Sequence, residues 1–293
     1  MKIGFVSIMG RPNVGKSTFL NCLLSKKVSI VSPKAQTTRD SVRGILNEKD
    51  KQIVFVDTPG IYYGVGKLES HMRRAAFGSS REVDGILYFI DASVPSLEKD
   101  LKILSSIGSD APIVFVLNKI DLIRLERARE LETELKANYP DCQIIEASFA
   151  ENFGIKEVKE AIEPWLSEGE AIYPRDLLTD KDKEYQTKEI IREKMLHFLK
   201  QEIPHQSAVK IDSFEKKNGG YEINATIIVD KDAHKGIVIG QGGQMIKKIS
   251  MAARHELERN WHEHVTVLSL EVKAIPGWKN SPKILAELGY NDR

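Results

Sequence analysis

Cysteine is nearly missing from this sequence. Cys22 and Cys142 are the two in 293 residues, far apart and without metal-type spacing. That excludes a disulfide framework and thiolate zinc sites, and it fits a reducing compartment in which both thiols are incidental small hydrophobes. Long apolar runs are also missing: no stretch approaches the roughly 18 residues that a spanning helix requires. The opening MKIGFVSIMGRP carries one Lys and a short apolar run broken by glycine, too brief for an export signal. The expectation is a cytoplasmic protein whose membrane contact, where it has any, is peripheral. An excess of one charge is the third absence. With 43 basic against 42 acidic residues, a non-specific basic coat is excluded, and affinity for nucleic acid has to come from a local patch. There is no internal repeat and no low-complexity segment.

What is present is ordinary for a folded chain: 41% hydrophobic and 29% charged residues, in a length comfortable for two domains. Up to about Trp165 one theme recurs, a short apolar run ending in a polar cluster and followed by a helical pattern. The runs are Ile3 to Met9, Gln52 to Val56, Gly85 to Ile90, Pro112 to Leu117 and Gln143 to Ala147. Nearly continuous in Val, Ile, Leu and Phe, they read as strands of a parallel sheet covered on both faces. The pattern dissolves from Leu166 to Lys183, where Pro174 and mixed charge favour an extended connector. Beyond it come a helix through Ile190 to Leu199, alternation at Val209 and Ile211 and again from Tyr221 to Val229, a glycine cluster, a helix through Met245 to Leu257, and a strand from Val265 to Ala274. This is a smaller α+β unit. The expected division is residues 1–168 for the first domain, 169–185 for the linker and 186–293 for the second domain.

Four segments of the first domain carry chemistry. Gly10, Arg11, Pro12, Asn13, Val14, Gly15, Lys16 and Ser17 match the phosphate-binding loop, placed after a strand and before the helical run from Thr18. Its glycines let backbone N–H groups close around phosphate, the helix N-terminus adds positive potential, Lys16 can reach the β and γ phosphates, and Ser17 can ligate Mg²⁺. Asp57-Thr58-Pro59-Gly60 ends the second apolar run, so Asp57 emerges where it can hold Mg²⁺ through water, with Gly60 beside the phosphates. Asn118-Lys119-Ile120-Asp121 reads the base. The Asp121 carboxylate can accept from guanine N1–H and the exocyclic amine, donors that adenine lacks. Asn118 is placed to reach the base or tie the loop to Gly15 and Lys16, and the Lys119 stem to cover one face of the base. Ser148, Phe149 and Ala150 occupy the place of a loop whose backbone N–H meets guanine O6.

The polar segment Ala35 to Asp40 can present a hydroxyl to Mg²⁺ and the γ-phosphate, from Thr37 or Thr38; Thr38 is taken as the working candidate. Ile61 follows the Asp-Thr-Pro-Gly turn, where other nucleotide switches place the glutamine that orients water. Hydrolysis therefore has to be organised otherwise. The expected arrangement is a catalytic set of Lys16, Thr38 and Asn13, in which K⁺ held by Asn13 supplies part of the transition-state charge and turnover is slow.

In the second domain, Val238-Ile239-Gly240-Gln241-Gly242-Gly243-Gln244-Met245-Ile246 joins an apolar approach to a Gly-x-x-Gly turn and a helix. Within the order helix, two strands, helix, glycine turn, helix and strand, this is a KH arrangement of type II, whose loop clamps the backbone of about four nucleotides. Candidate RNA contacts are Lys235, Val238, Ile239, Gly240, Gln241, Gly242, Gly243, Ile246 and Lys247, supported by Lys231, Lys248 and Arg254. His255, His262 and His264 lack metal-type companions and read as surface groups.

The combination GRPNVGKST, AQTTRD, DTPG, NKID, YPRDLLTDKD, the Glu202 to His205 segment, GIVIGQGG and the closing Leu288 to Tyr290 resembles the Era family of bacterial GTPases over nearly the whole chain. Phe149 and Gln241 depart from the Ala and Lys common in that family. The resemblance implies GTP and GDP as nucleotides, binding of the small ribosomal subunit near the 3′ end of its RNA, a role in subunit maturation, occasional association with the inner membrane face and a monomer. A signalling GTPase whose second domain binds protein or membrane is the alternative.

Overall fold

In a computed structural model of the full chain, the residues described are 1–34, 37–61 and 64–290. The chain forms two compact units: Met1–Tyr63 with Met72–Asp180, and Gly64–His71 with Lys181–Arg293.

The first unit is built on a sheet. In chain order it comprises β1 (Lys2–Gly10), α1 (Lys16–Leu24), β2 (Val42–Asn47), β3 (Lys51–Asp57), β4 (Gly85–Asp91), α3 (Glu98–Leu104), β5 (Ile113–Asn118), α4 (Leu125–Asn138), β6 (Gln143–Ala147), α5 (Ile155–Ile162) and β7 (Ser167–Glu168); α2 (Lys67–Gly78) lies between β3 and β4. The strand order is β2-β3-β1-β4-β5-β6, with β7 pairing β1. All neighbours are parallel except β2 against β3 and β7 against β1. The apolar runs hide a period of two. Leu87 and Phe89 of β4 and Val114 and Val116 of β5 pack with α1 and α5 in one core, whereas Ile86, Tyr88 and Ile90 of β4 and Phe115 and Leu117 of β5 pack with α3 and α4 in another. Helices thus cover both faces, as a parallel sheet requires.

Two elements differ from the sequence reading. Strand β2 is not marked in the sequence, because Arg43 and Gly44 interrupt its apolar character; it forms by antiparallel pairing of its whole length with β3, from Val42 opposite Asp57 to Asn47 opposite Gln52. The connector is also less free than its composition implies. Ser167 pairs with Ile3, the Ile45 amide donates to the Leu178 carbonyl at 2.9 Å, and Thr179 bridges to Gly44. Fully buried Gln52 anchors it further: its Nε2 donates to the Tyr173 carbonyl at 2.8 Å, while its Oε1 accepts from the Ile172 and Tyr173 amides at 2.8 and 2.9 Å. Backbone pairing, which charge and proline content do not report, fixes this stretch.

The second unit contains α6 (Lys183–Phe198), β8 (Ser207–Lys217), β9 (Gly220–Val229), α7 (Asp232–Ile239), α8 (Gln244–Trp261), β10 (Val265–Ala274) and α9 (Pro282–Glu287). Asp182 caps α6, its Oδ1 accepting from the Tyr185 amide at 2.7 Å. The sheet runs β10-β9-β8, antiparallel between β8 and β9 and parallel between β9 and β10. Ile190, Ile191 and Met195 of α6 and Ile249, Ala253 and Leu257 of α8 close over Ile223, Ala225 and Ile227. Inside this packing Arg192, 1% exposed, pairs with Glu189 at 2.8 Å, so the buried charge is matched.

Candidate nucleotide site and RNA-facing loop

Strands β1, β3 and β5 end at Gly10, Asp57 and Asn118, and parallel pairing brings these ends to one sheet edge. A cleft opens there, lined by Asn13, Gly15, Lys16, Ser17, Thr18, Thr38 and Gly60 among others. Gly15 has φ +101°, and a Cβ on it would lie 2.1 Å from Asn118 Nδ2. A side chain at that position is excluded on both counts.

The hydroxyl and carboxylate groups converge. Ser17 Oγ donates to Asp57 Oδ2 at 2.6 Å and lies 3.1 Å from Thr38 Oγ1, and Ser29 Oγ donates to the same Asp57 oxygen at 2.8 Å. Thr37 also lines the cleft, but its hydroxyl donates to the Lys34 carbonyl at 2.7 Å. Thr38 is thereby the threonine beside Ser17; Ala35 and Gln36 of the same segment lie outside the described residues. Asp57 is fully buried and its Oδ1 has no hydrogen-bond partner. Burial pushes its carboxyl above the usual range, against Lys16 and the two serine hydrogen bonds. A buried carboxylate with one oxygen unpartnered and the hydroxyls of Ser17 and Thr38 close by fits a hard, oxygen-seeking divalent ion that keeps water and phosphate ligands, and the residues present therefore fit Mg²⁺. Among the described residues no group of three or more His, Cys, Asp or Glu gathers at a metal-binding distance.

Lys16 is 6% exposed, and its Nζ donates to the Gly10 and Arg11 carbonyls at 3.2 and 2.8 Å. Burial lowers its pKa to about 8, with Asp57 and then Asp100 opposing. Asn13, with φ 64°, spends its amide nitrogen on the Pro33 carbonyl at 2.7 Å.

The base-reading loops are tied to each other and to the phosphate loop. Asn118 Nδ2 donates to the Val14 carbonyl at 2.7 Å, and its Oδ1 accepts the Phe149 amide at 3.2 Å. The tie expected at Gly15 and Lys16 is thus made one residue earlier, because the Val14 carbonyl points at the end of β5. Lys119 takes a left-handed backbone, φ 68°, and its Nζ meets Asp91 Oδ2 at 2.5 Å. Burial would raise the Asp91 pKa, but hydrogen bonds from Lys119 and Ser93 win and hold it below the carboxylate norm. Ser148 Oγ donates to Asp121 Oδ1 at 2.5 Å, aiming the exposed carboxylate. Ala150 is exposed beyond it. The Phe149 side chain, 1% exposed, turns into the core, with its ring 4.8 Å from that of Phe19 and 5.4 Å from that of Phe89. Its ring fastens the loop to Phe19 of α1. Phe149→Ala is expected to cost about 3–5 kcal/mol of stability, read as a lower urea midpoint at unchanged slope.

In the second unit the turn Gly240 to Gly243 separates α7 from α8, with left-handed φ of +74° at Gly240, +57° at Gly242 and +77° at Gly243. Gln241, Gly242 and Lys247 are exposed and Lys235, Ile239, Gly240, Gly243 and Ile246 partly so. Val238 is corrected here: it is 0% exposed in the core and holds α7 in place, so it offers RNA no side-chain contact. Ile237, which the sequence reading passed over, is 51% exposed on the same helix.

A phosphate loop at a parallel sheet edge, a guanine-type carboxylate and a glycine turn between two helices define a GTPase joined to a KH unit. Residues 5–119 match the family model described as 50S ribosome-binding GTPase, and residues 202–274 match the KH domain. GTPase Era of Caldanaerobacter subterraneus subsp. tengcongensis is 43% identical over 294 residues, covering 99% of this chain and 98% of that protein, and GTPase Era of Clostridium acetobutylicum is 44% identical over the same coverage. A solved structure of an Aquifex aeolicus Era variant bound to GDP and AlF4⁻ superposes with a TM-score of 0.94 at 37% identity, and one of Era with MgGDPNP and nucleotides 1506–1542 of 16S ribosomal RNA with 0.94 at 38%, each covering all of both chains. The chain belongs to the Era family and is a GTP-hydrolysing enzyme.

Proposed function

We propose that the protein is a slow, Mg²⁺-dependent GTPase switch whose KH unit binds small-subunit ribosomal RNA near its 3′ end and assists maturation of that subunit. The GTPase part is assigned to residues 1–168 and the KH part to 186–293. The observation that carries this reading is the buried Asp57 carboxylate beside the phosphate loop, whose Oδ2 accepts from Ser17, itself next to Thr38, while its Oδ1 has no partner, in a chain that also holds an exposed glycine turn. The solved Era bound to MgGDPNP and 16S RNA supports it. The protein-binding alternative has no comparable support. No helix among the described residues is long and apolar enough to cross a membrane; location in the cytoplasm as a monomer, with peripheral contact at the inner membrane face, belongs to the same reading. Cross-linking to cellular RNA followed by sequencing is expected to enrich the 3′ end of small-subunit RNA. Recovery of protein partners and no RNA would favour the signalling alternative.

Ser17, Thr38 and Asp57 hold the metal in this reading. When bound, Mg²⁺ neutralises charge on the β and γ phosphates. Lys16 leaves the Gly10 and Arg11 carbonyls for the phosphate oxygens, and the loop N–H groups hold the phosphates in line. Buried Ile61 offers no side-chain amide to orient water, and in this reading Asn13 would hold a K⁺ ion, which would offset negative charge developing on the phosphates. Turnover is expected to be several-fold faster in K⁺ than in Na⁺ at equal ionic strength, a difference that Asn13→Ala abolishes; equal wild-type rates in the two salts rule out the cation.

A further inference from the structure

We propose that Asp100, on α3, is a positioning residue that holds the phosphate loop in its binding geometry through Arg11. No sequence motif points to α3, yet the contacts lead there from the site. Arg11 Nη1 meets Asp100 Oδ2 at 3.2 Å, with the Asp100 side chain 1% exposed and Arg11 25%. The Tyr88 hydroxyl, fully buried in β4, donates to Asp100 at 3.3 Å to Oδ1 and 3.4 Å to the carbonyl. A buried carboxylate without such partners is unfavourable, so its presence marks a constraint at this point.

The constraint falls on the turn that Lys16 reads. Arg11 and Gly10 offer the two carbonyls that hold Lys16 Nζ, and the Gly10 carbonyl also accepts the Ile61 amide at 3.0 Å. Pinning the Arg11 guanidinium to α3 therefore fixes where the Arg11 carbonyl points, and with it the start of the loop that must close on phosphate. The Asp100 charge also acts on Lys16 directly, as the second carboxylate after Asp57 that favours its ammonium form. Arg11 is thus occupied as a brace and not offered to the nucleotide. A sequence scan gives Arg11 no such role, because its partner lies 89 positions away.

The inference rests on reading residues 10–17 as the phosphate loop, and the test separates the two. GDP affinity is measured for wild type, Arg11→Gln, Asp100→Asn, their double variant, Arg11→Lys and Lys16→Ala, each against inosine diphosphate as well. Arg11→Gln and Asp100→Asn are each expected to weaken GDP about tenfold, in keeping with a small displacement of a binding group. The double variant should be no weaker than either single one, and Arg11→Lys should recover most of the loss. The ratio of GDP to inosine diphosphate affinity should stay constant, since the base loops are untouched; a general loosening of the fold would alter it. Should Asp100→Asn fail to fold, Arg11→Gln decides alone, its side chain being a quarter exposed against 1% for Asp100. Unchanged GDP affinity in Arg11→Gln, additive losses, or a shifted base ratio would each overturn the proposal. Unchanged affinity in Lys16→Ala would instead overturn the phosphate-loop reading itself.

Discussion

Asp121→Asn is expected to lower GTP affinity by about a hundredfold or more and to create affinity for xanthosine triphosphate. The estimate follows from what the carboxylate does. In the proposed base contact it would accept two donors of guanine, N1–H and the exocyclic amine, and hydrogen bonds to a charged group contribute about 1.5–3 kcal/mol each. Two together correspond to roughly 3–6 kcal/mol, or two to four powers of ten. The carboxylate is exposed and aimed by Ser148 Oγ at 2.5 Å, so little reorganisation is needed for it to meet the base. An amide in its place presents an N–H to the exocyclic amine of guanine, donor against donor. Xanthine carries a carbonyl there, which the new amide satisfies. The Ser148 hydroxyl can serve the amide oxygen as it served the carboxylate, so the loop keeps its shape. Competition of GTP and xanthosine triphosphate against a fluorescent GDP measures the exchange. Undiminished GTP affinity in the variant would mean the base is read elsewhere.

The parts of this site that were legible in the sequence are those held by local pattern. Lys16, Ser17, Asp57, Asn118 and Asp121 each follow an apolar run within a few residues, and a parallel sheet delivers the ends of such runs to one edge whatever the loops do afterwards. The KH order was legible for the same reason, since α6, β8, β9, α7, the glycine turn, α8 and β10 each keep their own period. What escaped the sequence depends on distant partners. Strand β2 exists through pairing with β3, and the connector is set by Gln52, some 120 positions away from Ile172. The choice of Thr38 over Thr37 follows from one hydroxyl finding Lys34 and the other Ser17. Phe149 looked like a disturbance to the guanine loop because a sequence shows a residue's size and not its direction. Its ring joins Phe19 and Phe89 in the core, and only its backbone faces the site. Val238 errs the other way: adjacent to the glycine turn by number, it lies beneath the surface by geometry.

The same distinction between number and direction governs the glycine turn, where Gly242→Asp is expected to abolish most RNA binding and leave GDP affinity unchanged. Gly240 and Gly242 both have positive φ, but they tolerate side chains differently. A Cβ on Gly240 would lie 2.7 Å from Met245 Cβ and 2.9 Å from its amide nitrogen, so any substitution there displaces the start of α8. A Cβ on Gly242 meets nothing within 4 Å, and its φ of +57° is in the left-handed region that Asp and Asn enter most readily after glycine. Gly242→Asp therefore keeps the fold and places a carboxylate in the open space that the RNA backbone must enter. Two effects then combine: the side chain prevents close approach, and its charge repels phosphate by about 4 kcal/mol at 4 Å in a surface-like dielectric, less once salt screens it. A loss of a hundredfold or more is the expected result at moderate ionic strength. Gly242→Asn, with the same shape and no charge, should bind between the variant and wild type, and raising the salt should narrow the gap between the Asp and Asn forms. The nucleotide loops belong to the other compact unit, so GDP binding is the internal control. A short single-stranded RNA matching the 3′ end of small-subunit RNA, titrated against the three proteins, gives the answer: equal affinity in all three would remove the glycine turn as the contact and return the search to the exposed Ile237 and Lys247 beside it.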